Sequence, residues 1–279
     1  MMPLQILPTI ANMPSPTHAF SIMYHDVVEH GDFNSSGFPG EGAHLYKLRR
    51  DDFERHLDAI AAVTATTTAT VATVRSLAVR TILLTFDDGG ASFHHPIASL
   101  LEQRGWRGHF FITTDRIGAP GFLSESEIRD LHRRGHIIGS HSCSHPTRMA
   151  ALTRPDLDRE WRLSLARLSA IIGEPVTTAS VPGGYYGRQV GEAAQAAGIR
   201  TLFTSEPTAR ISSLNGCLLF GRYVVQRDMG PEWSAGFAAG RPAQCWRQTA
   251  AWKLKRLAKT LGGGLYLRLR HAILERRRR

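Results

Sequence analysis

The sequence predicts an α/β protein built on a parallel sheet. Three observations carry that prediction. From Thr81 onward, apolar β-branched runs alternate with stretches of helical period. The best-defined run, Thr81 to Phe86, is apolar enough to be covered on both faces, as strands of parallel sheets are. Polar and Gly-rich clusters fall at the C-terminal ends of these runs, where α/β sheets place their sites. About seven strands are expected, which suits a barrel as well as an open sheet.

Taken in order, residues 1–18 form a loose, Pro-rich leader. Ala19 to Tyr24 is a short apolar strand that ends at His25-Asp26. Residues 29–45 are rich in Gly, Ser, Asn and Pro and read as a long loop, of the kind that borders a site. Asp51 to Ala62 carries Phe53, Leu57 and Ile60 at helical spacing. Thr64 to Thr73 is Ala/Thr-rich and has no clear period. After the strand at 81–86 a helix is expected over 94–104, then a strand over 108–113. Ser124 with Glu127 makes a capping box and opens a helix to Arg134. A short strand at 136–140 precedes a long amphipathic helix over 153–172, with Leu157, Trp161, Leu165 and Leu168 on one face. A strand at 177–181, a helix at 189–197, and strands at 201–204 and 218–225 follow. Residues 226–245 read as irregular. From Trp246 the chain is helical in character, with Leu254, Leu257, Leu261 and Leu265 on one face, until Gly262-Gly263-Gly264 interrupts it. The expected division is a leader at 1–18, a main domain at 19–245 and a basic amphipathic tail at 246–279.

The chain of 279 residues is 42% hydrophobic and 21% charged, as globular proteins are. No apolar run approaches the roughly 18 residues a membrane span needs. Residues 1–17 contain no Lys or Arg, and four prolines interrupt them, so no secretory signal is read and a cytoplasmic location is expected. Cys143, Cys217 and Cys245 are too few for a disulfide framework and have no paired zinc spacing. The net charge of +10 belongs to the tail: Trp246 to Arg279 holds eleven Lys/Arg and one acid, which leaves residues 1–245 balanced. A cationic, Leu-bearing tail fits peripheral contact with an anionic membrane surface, or else a solvated terminus. It lacks the interleaved aromatics of a nucleic-acid binder, so no nucleic acid is expected.

Two neighbouring carboxylates, Asp87 and Asp88, end the strand at 81–86, and Gly89-Gly90 turns the chain there. Like charges this close repel unless a cation sits beside them. A metal ion answers the need, with one Asp as ligand and the other as a base next to a metal-activated water. A solvated Asp-Asp-Gly turn is the alternative. His141-Ser142-Cys143-Ser144-His145 offers two imidazoles four residues apart after another strand. Two His and one carboxylate, with open positions, make a hydrolytic metal site.

Thr85-Phe86-Asp87-Asp88-Gly89, the segment from Gly135 through His141 to His145, and Pro182-Gly183-Gly184-Tyr185 resemble, in order and spacing, three motifs of the polysaccharide deacetylase family (the NodB-homology domain, carbohydrate esterase family 4). The resemblance covers roughly residues 19–225. It implies a deformed (β/α)7 barrel and metal-dependent removal of N-acetyl groups from an amino-sugar polysaccharide or glycan, as in exopolysaccharide metabolism. It implies that Asp88, His141 and His145 hold a divalent metal, usually zinc, and that Asp87 is the catalytic base. The family's late Leu-x-His motif is absent here; after residue 185 the one His is His271. Met23-Tyr24-His25-Asp26-Val27 is similar instead to the N-terminal segment of permuted members such as poly-N-acetylglucosamine deacetylases, which implies His25 as the general acid. Ser180 stands where many members have an Arg against the base, a departure shared with permuted members. Pro182 and Gly183 are expected to bring a backbone N–H to the substrate oxyanion, and Tyr185 to floor a sugar site. The alternative from another class is a non-catalytic glycan-binding or polysaccharide-assembly protein that keeps the fold.

Overall fold

The computed structural model describes residues 18–64, 68–73 and 81–257. The leader to residue 17 and the tail beyond residue 257 lie outside the described residues. In chain order come β1 (Phe20–Tyr24), β2 (Val27–Val28), α1 (Glu41–His44), β3 (Leu48–Arg49), α2 (Arg50–Val63), β4 (Ile82–Phe86), α3 (Ile97–Glu102), β5 (His109–Ile112), α4 (Glu125–Arg133), β6 (Ile137–Ser140) and α5 (Arg154–Ile172). There follow β7 (Thr178–Ser180), α6 (Arg188–Ala196), β8 (Thr201–Phe203), β9 (Ser212–Leu214), β10 (Cys217–Phe220), β11 (Tyr223–Val224) and α7 (Pro231–Ala238). A last helix, α8, spans 242–257. Among the described residues no helix is long and apolar enough to cross a membrane.

The sheet runs β11-β1-β4-β5-β6-β7-β8-β10-β9, and every pairing except β10 with β9 is parallel. The strand expected over 218–225 is two strands. β10 pairs with β8 and β11 with β1, so this one segment spans the gap between the first and sixth strands of the curl. The result is the deformed (β/α)7 barrel, with its seventh strand bent at Gly221-Arg222. Glycine is needed at the bend, because a Cβ on Gly221 would lie 2.4 Å from the Glu206 carbonyl oxygen. β9 and β10 form a hairpin across Asn215 (φ 49) and Gly216 (φ 83), the pair such a two-residue turn favours.

β4 is buried along its whole length, as its composition requires. Ile82, Leu84 and Phe86 face the outer core beneath the helices, while Leu83 joins Phe111, Phe203 and Phe220 inside the barrel. Tyr24, Phe53, Phe86, Phe93 and Phe110 stack under the end of β4 with centroid separations of 5.1 to 6.1 Å. The capping box of Ser124 and Glu127 forms at α4 as read. Two readings change. Residues 226–245 hold α7 and the start of α8 rather than irregular chain; Ser234 to Ala238 are all buried, so α7 shows no amphipathic period. The loop at 29–45 contains α1 and is tied down from below. The buried Lys47 ammonium donates to the carbonyls of Phe33, Ser36 and Phe38 at 2.5 to 2.7 Å.

Asp26 holds the other side of that loop. Its Oδ1 accepts from Ser36 Oγ at 2.6 Å and Ser92 Oγ at 2.7 Å, while Oδ2 has no partner among the described residues. A Cβ on Gly37 or Gly90 would collide with this carboxylate, so both glycines are needed for its seat. Burial pushes the Asp26 carboxyl from 3.8 up to about 6, against the two hydroxyl donors. A carboxyl raised in the folded state binds a proton there that the unfolded chain has lost. Stability is therefore predicted to fall as pH rises through roughly 4 to 6, by about 3 kcal/mol from this group. Urea unfolding of Asp26→Asn should lack that slope, so the variant gains on the parent across the window; parallel pH profiles would contradict it.

Candidate active site

The parallel register brings distant residues to one rim. Tyr24 pairs with Phe86, and Asp87 N donates to Tyr24 O at 3.1 Å, so His25 stands level with Asp87. Ser140 pairs with both Ile112 and Ala179, which sets His141 at the end of β6 beside Ser180 at the end of β7. Among the described residues, four other than glycine have positive φ, and three of them are Asp88, Ser142 and His145. Such conformations cost energy and persist where surrounding structure imposes them, often at functional sites.

Asp88, His141 and His145 converge. Their ligand atoms lie within 4.8 Å of one another. Asp88 Oδ1 is 3.4 Å from Nε2 of each histidine. Two donors held about 2.1 Å from a tetrahedral ion are themselves about 3.4 Å apart, so the spacing fits zinc. The tautomer fits as well. Ser180 Oγ donates to Asp87 Oδ1 at 3.2 Å, so at 2.6 Å it accepts from His141 Nδ1. His141 Nε2 then faces the Asp88 carboxylate: in the neutral ring its lone pair wants a cation between them, and in the imidazolium its N–H donates to Asp88. Burial would raise the Asp88 carboxyl, but His141 and His145 outweigh it and hold it well below the usual range. Burial opposes charge on His145, yet Asp88 holds its pKa above the ordinary value.

Asp87 is neutralised differently, by a residue the sequence reading missed. Arg222, 1% exposed, pairs with it bidentately, Nη1 to Oδ1 at 2.6 Å and Nη2 to Oδ2 at 2.8 Å. Arg222 Nε donates to Thr204 O at 3.0 Å, and the guanidinium lies over Phe111 and Phe203 at the top of the barrel interior. Burial pushes Asp87 up, and Arg222 with His141 more than reverses it, so the carboxylate is held ionised. The available signal was a Gly-Arg pair interrupting an apolar strand. Ser180, which has no guanidinium to offer, links Asp87 to His141 instead.

His25 is half-buried against Tyr46, with ring centroids 4.8 Å apart, and its Nδ1 has no hydrogen-bond partner among the described residues. Burial holds its pKa below the ordinary value, and Asp88 and Asp87 offset only part of that. Pro182 to Gly184 form a 3-10 turn against the chain that leaves His145. A Cβ on Gly183 (φ 66) would lie 2.7 Å from Thr147 O. Arg148 stacks 5.6 Å from the Tyr185 ring centroid. Phe38, from the loop held by Lys47, lies 4.8 Å from the His145 ring. His109 and His136 are structural: His109 bonds Leu84 O and Val71 N, and His136 bonds Gly108 N and Glu102.

The turn carrying both histidines is fastened by Glu160 of α5. Its carboxylate accepts from Cys143 N and Ser144 N, both at 2.9 Å, and from Ser144 Oγ at 2.7 Å. Glu160 is 7% exposed, and its three bonds fix the segment between His141 and His145.

Residues 75–202 match the family model described as polysaccharide deacetylase. YxkH of Bacillus subtilis (strain 168), a polysaccharide deacetylase by name, is 26% identical over 130 residues, which are 47% of this chain and 46% of YxkH. The chain spans less than half the length of the curated relatives it matches. The fold is similar to that of the Streptococcus pyogenes deacetylase PplD, solved with acetate, at a TM-score of 0.66 and 18% identity over 78% of this chain and 96% of that one. It is similar also to IcaB from Ammonifex degensii, at a TM-score of 0.65 and 18% identity over 81% of this chain and 98% of that one.

Breaking one side of a buried ion pair costs about 3–5 kcal/mol, because the other charge is left alone. Arg222→Met is expected to lose that much stability in denaturant unfolding. Asp87→Asn in the same background should restore part of it. A double variant as unstable as the summed single losses would show that the two side chains do not interact.

Proposed function

We propose that this protein, whose residues 75–202 match the polysaccharide deacetylase family model, is a metal-dependent hydrolase that removes N-acetyl groups from an amino-sugar polysaccharide or glycan. The single observation that supports it most is the pairing of two adjacent carboxylates with different partners, Asp87 with Arg222 and Asp88 with His141 and His145. Hydrolysis needs such a division, one carboxylate to hold a cation and one kept ionised to take a proton.

Asp88, His141 and His145 would hold a divalent ion, zinc by its donor set and spacing. Bound there, the ion supplies Lewis acidity toward the acetamide carbonyl and toward the attacking water. Asp87, kept ionised by Arg222, takes the proton of that water. Ser180 and Glu160 hold the two imidazoles in place. The turn at Pro182-Gly183 is assigned to the oxyanion through a backbone N–H, and Tyr185 to the sugar. His25 gives a proton to the leaving amine, so water and amide become acetate and a free amine. The complete set of base, ligands and acid supports this reading over a glycan-binding protein that keeps the fold. Residues 246–279 are proposed to bring the activity to a membrane surface.

Acetate release from a panel of N-acetylated glycans, assayed with and without chelator, tests the proposal. Activity should vanish with chelator and return with zinc. His141→Ala should lose both metal and activity; full turnover by metal-free His141→Ala would refute the scheme. His25→Ala should keep its metal and lose about 10²–10⁴-fold in kcat, the usual contribution of a placed acid. An unchanged kcat would remove His25 from the chemistry.

A further inference from the structure

α8 meets the barrel along one face. The Gln248 side chain accepts from Val224 N at 2.9 Å and donates to Val224 O at 2.8 Å, as a neighbouring strand would, and so covers the edge of β11. Thr249 Oγ1 donates to Pro207 O at 2.9 Å. Arg247 lies over Trp233, of α7, at 5.4 Å. The opposite face is apolar. At 3.6 residues per turn, Trp246, Ala250, Leu254 and Leu257 fall in one stripe. Trp246 is 71% exposed, Leu254 69% and Leu257 55%; with Leu163 these are the large exposed apolar side chains among the described residues.

Such a stripe marks a surface that meets something. Its charge says what. Lys253 lies beside the stripe and Arg247 at its edge, and between Glu232 and Glu275 the sequence has eight Lys/Arg and no Asp or Glu. Protein interfaces are depleted in Lys, and a nucleic-acid face has no use for a Trp-Leu stripe. Trp and Leu beside Lys and Arg of one sign are the composition of a helix lying in the headgroup region of an anionic bilayer.

We propose that this face of α8 docks the protein on an anionic phospholipid surface. Trp246 and Leu254 enter the interface, and Lys253, beside them on the same face, meets the headgroup phosphates within the uniformly positive field of the segment. The opposite face, through Gln248 and Thr249, ties the docked helix to the barrel. This deepens the membrane placement proposed above and is independent of the catalytic chemistry, since no residue of the stripe belongs to the site.

Co-sedimentation of the full chain with phosphatidylcholine vesicles, with and without phosphatidylglycerol, tests it. Binding is expected only with phosphatidylglycerol and should weaken with salt. The double variant Trp246→Ala/Leu254→Ala, whose charge is unchanged, should partition about tenfold less. In the parent, brominated lipid should quench tryptophan fluorescence; Trp246→Phe should still bind but lose most of that quenching. Acetate release from a water-soluble substrate should be equal in all three proteins, which separates failure here from failure of the deacetylase reading. Equal partitioning of parent and double variant would overturn the proposal, leaving tail charge alone to bind. No sedimentation with either vesicle would overturn it too, as would a parent dimer that the double variant dissociates, because a second copy would then cover the stripe.

Discussion

Two adjacent carboxylates buried at the end of one strand are the constraint on which the rest of the rim depends. Asp87 is 3% exposed and Asp88 8%. Side by side in a poorly hydrated setting, two anions repel strongly unless each has its own counter-charge. The chain supplies two different ones. Asp87 takes a permanent cation from the bend that closes the barrel. Asp88 takes two imidazoles, whose charge depends on protons or on an ion. The two roles separate just past β4, which ends at Phe86, where the chain leaves the extended conformation. The left-handed conformation of Asp88 (φ 91) then turns its carboxylate toward the histidines.

Around that division lies a set of buried polar anchors whose work is positional. Glu160 fastens the turn between the two histidines, and Lys47 gathers three carbonyls of the loop that places Phe38 against His145. Each puts a charge where backbone dipoles already point, so the charge is satisfied without a competing ion. Residues in unfavourable φ are held by such contacts; His145 N, for instance, donates to Ser142 Oγ at 3.1 Å.

Much of this was legible in the sequence, for local reasons. β4 announced itself by an apolar run, α4 by its capping box, and α5 by Leu157, Trp161, Leu165 and Leu168 at helical spacing. Asp88, His141 and His145 do meet, because both motifs follow parallel strands and so reach the same end. The rest was hidden where local signals fail. Arg222 lies 135 residues from its partner, in a stretch that reads as one strand and serves as two. α7 is buried on nearly every side, so it shows no period. Lys47 and Glu160 look like ordinary surface charges until the loops that wrap them are in view.

The division of roles at the rim turns on which carboxylate meets the metal. Crystals grown with zinc and measured at its absorption edge would show the ion directly. One anomalous peak is predicted, about 2.0–2.2 Å from an Asp88 oxygen and from Nε2 of His141 and His145, with Asp87 still paired to Arg222. A peak centred on Asp87, with Arg222 displaced, would contradict the division of labour between the two carboxylates, and so would crystals with no ion at this rim.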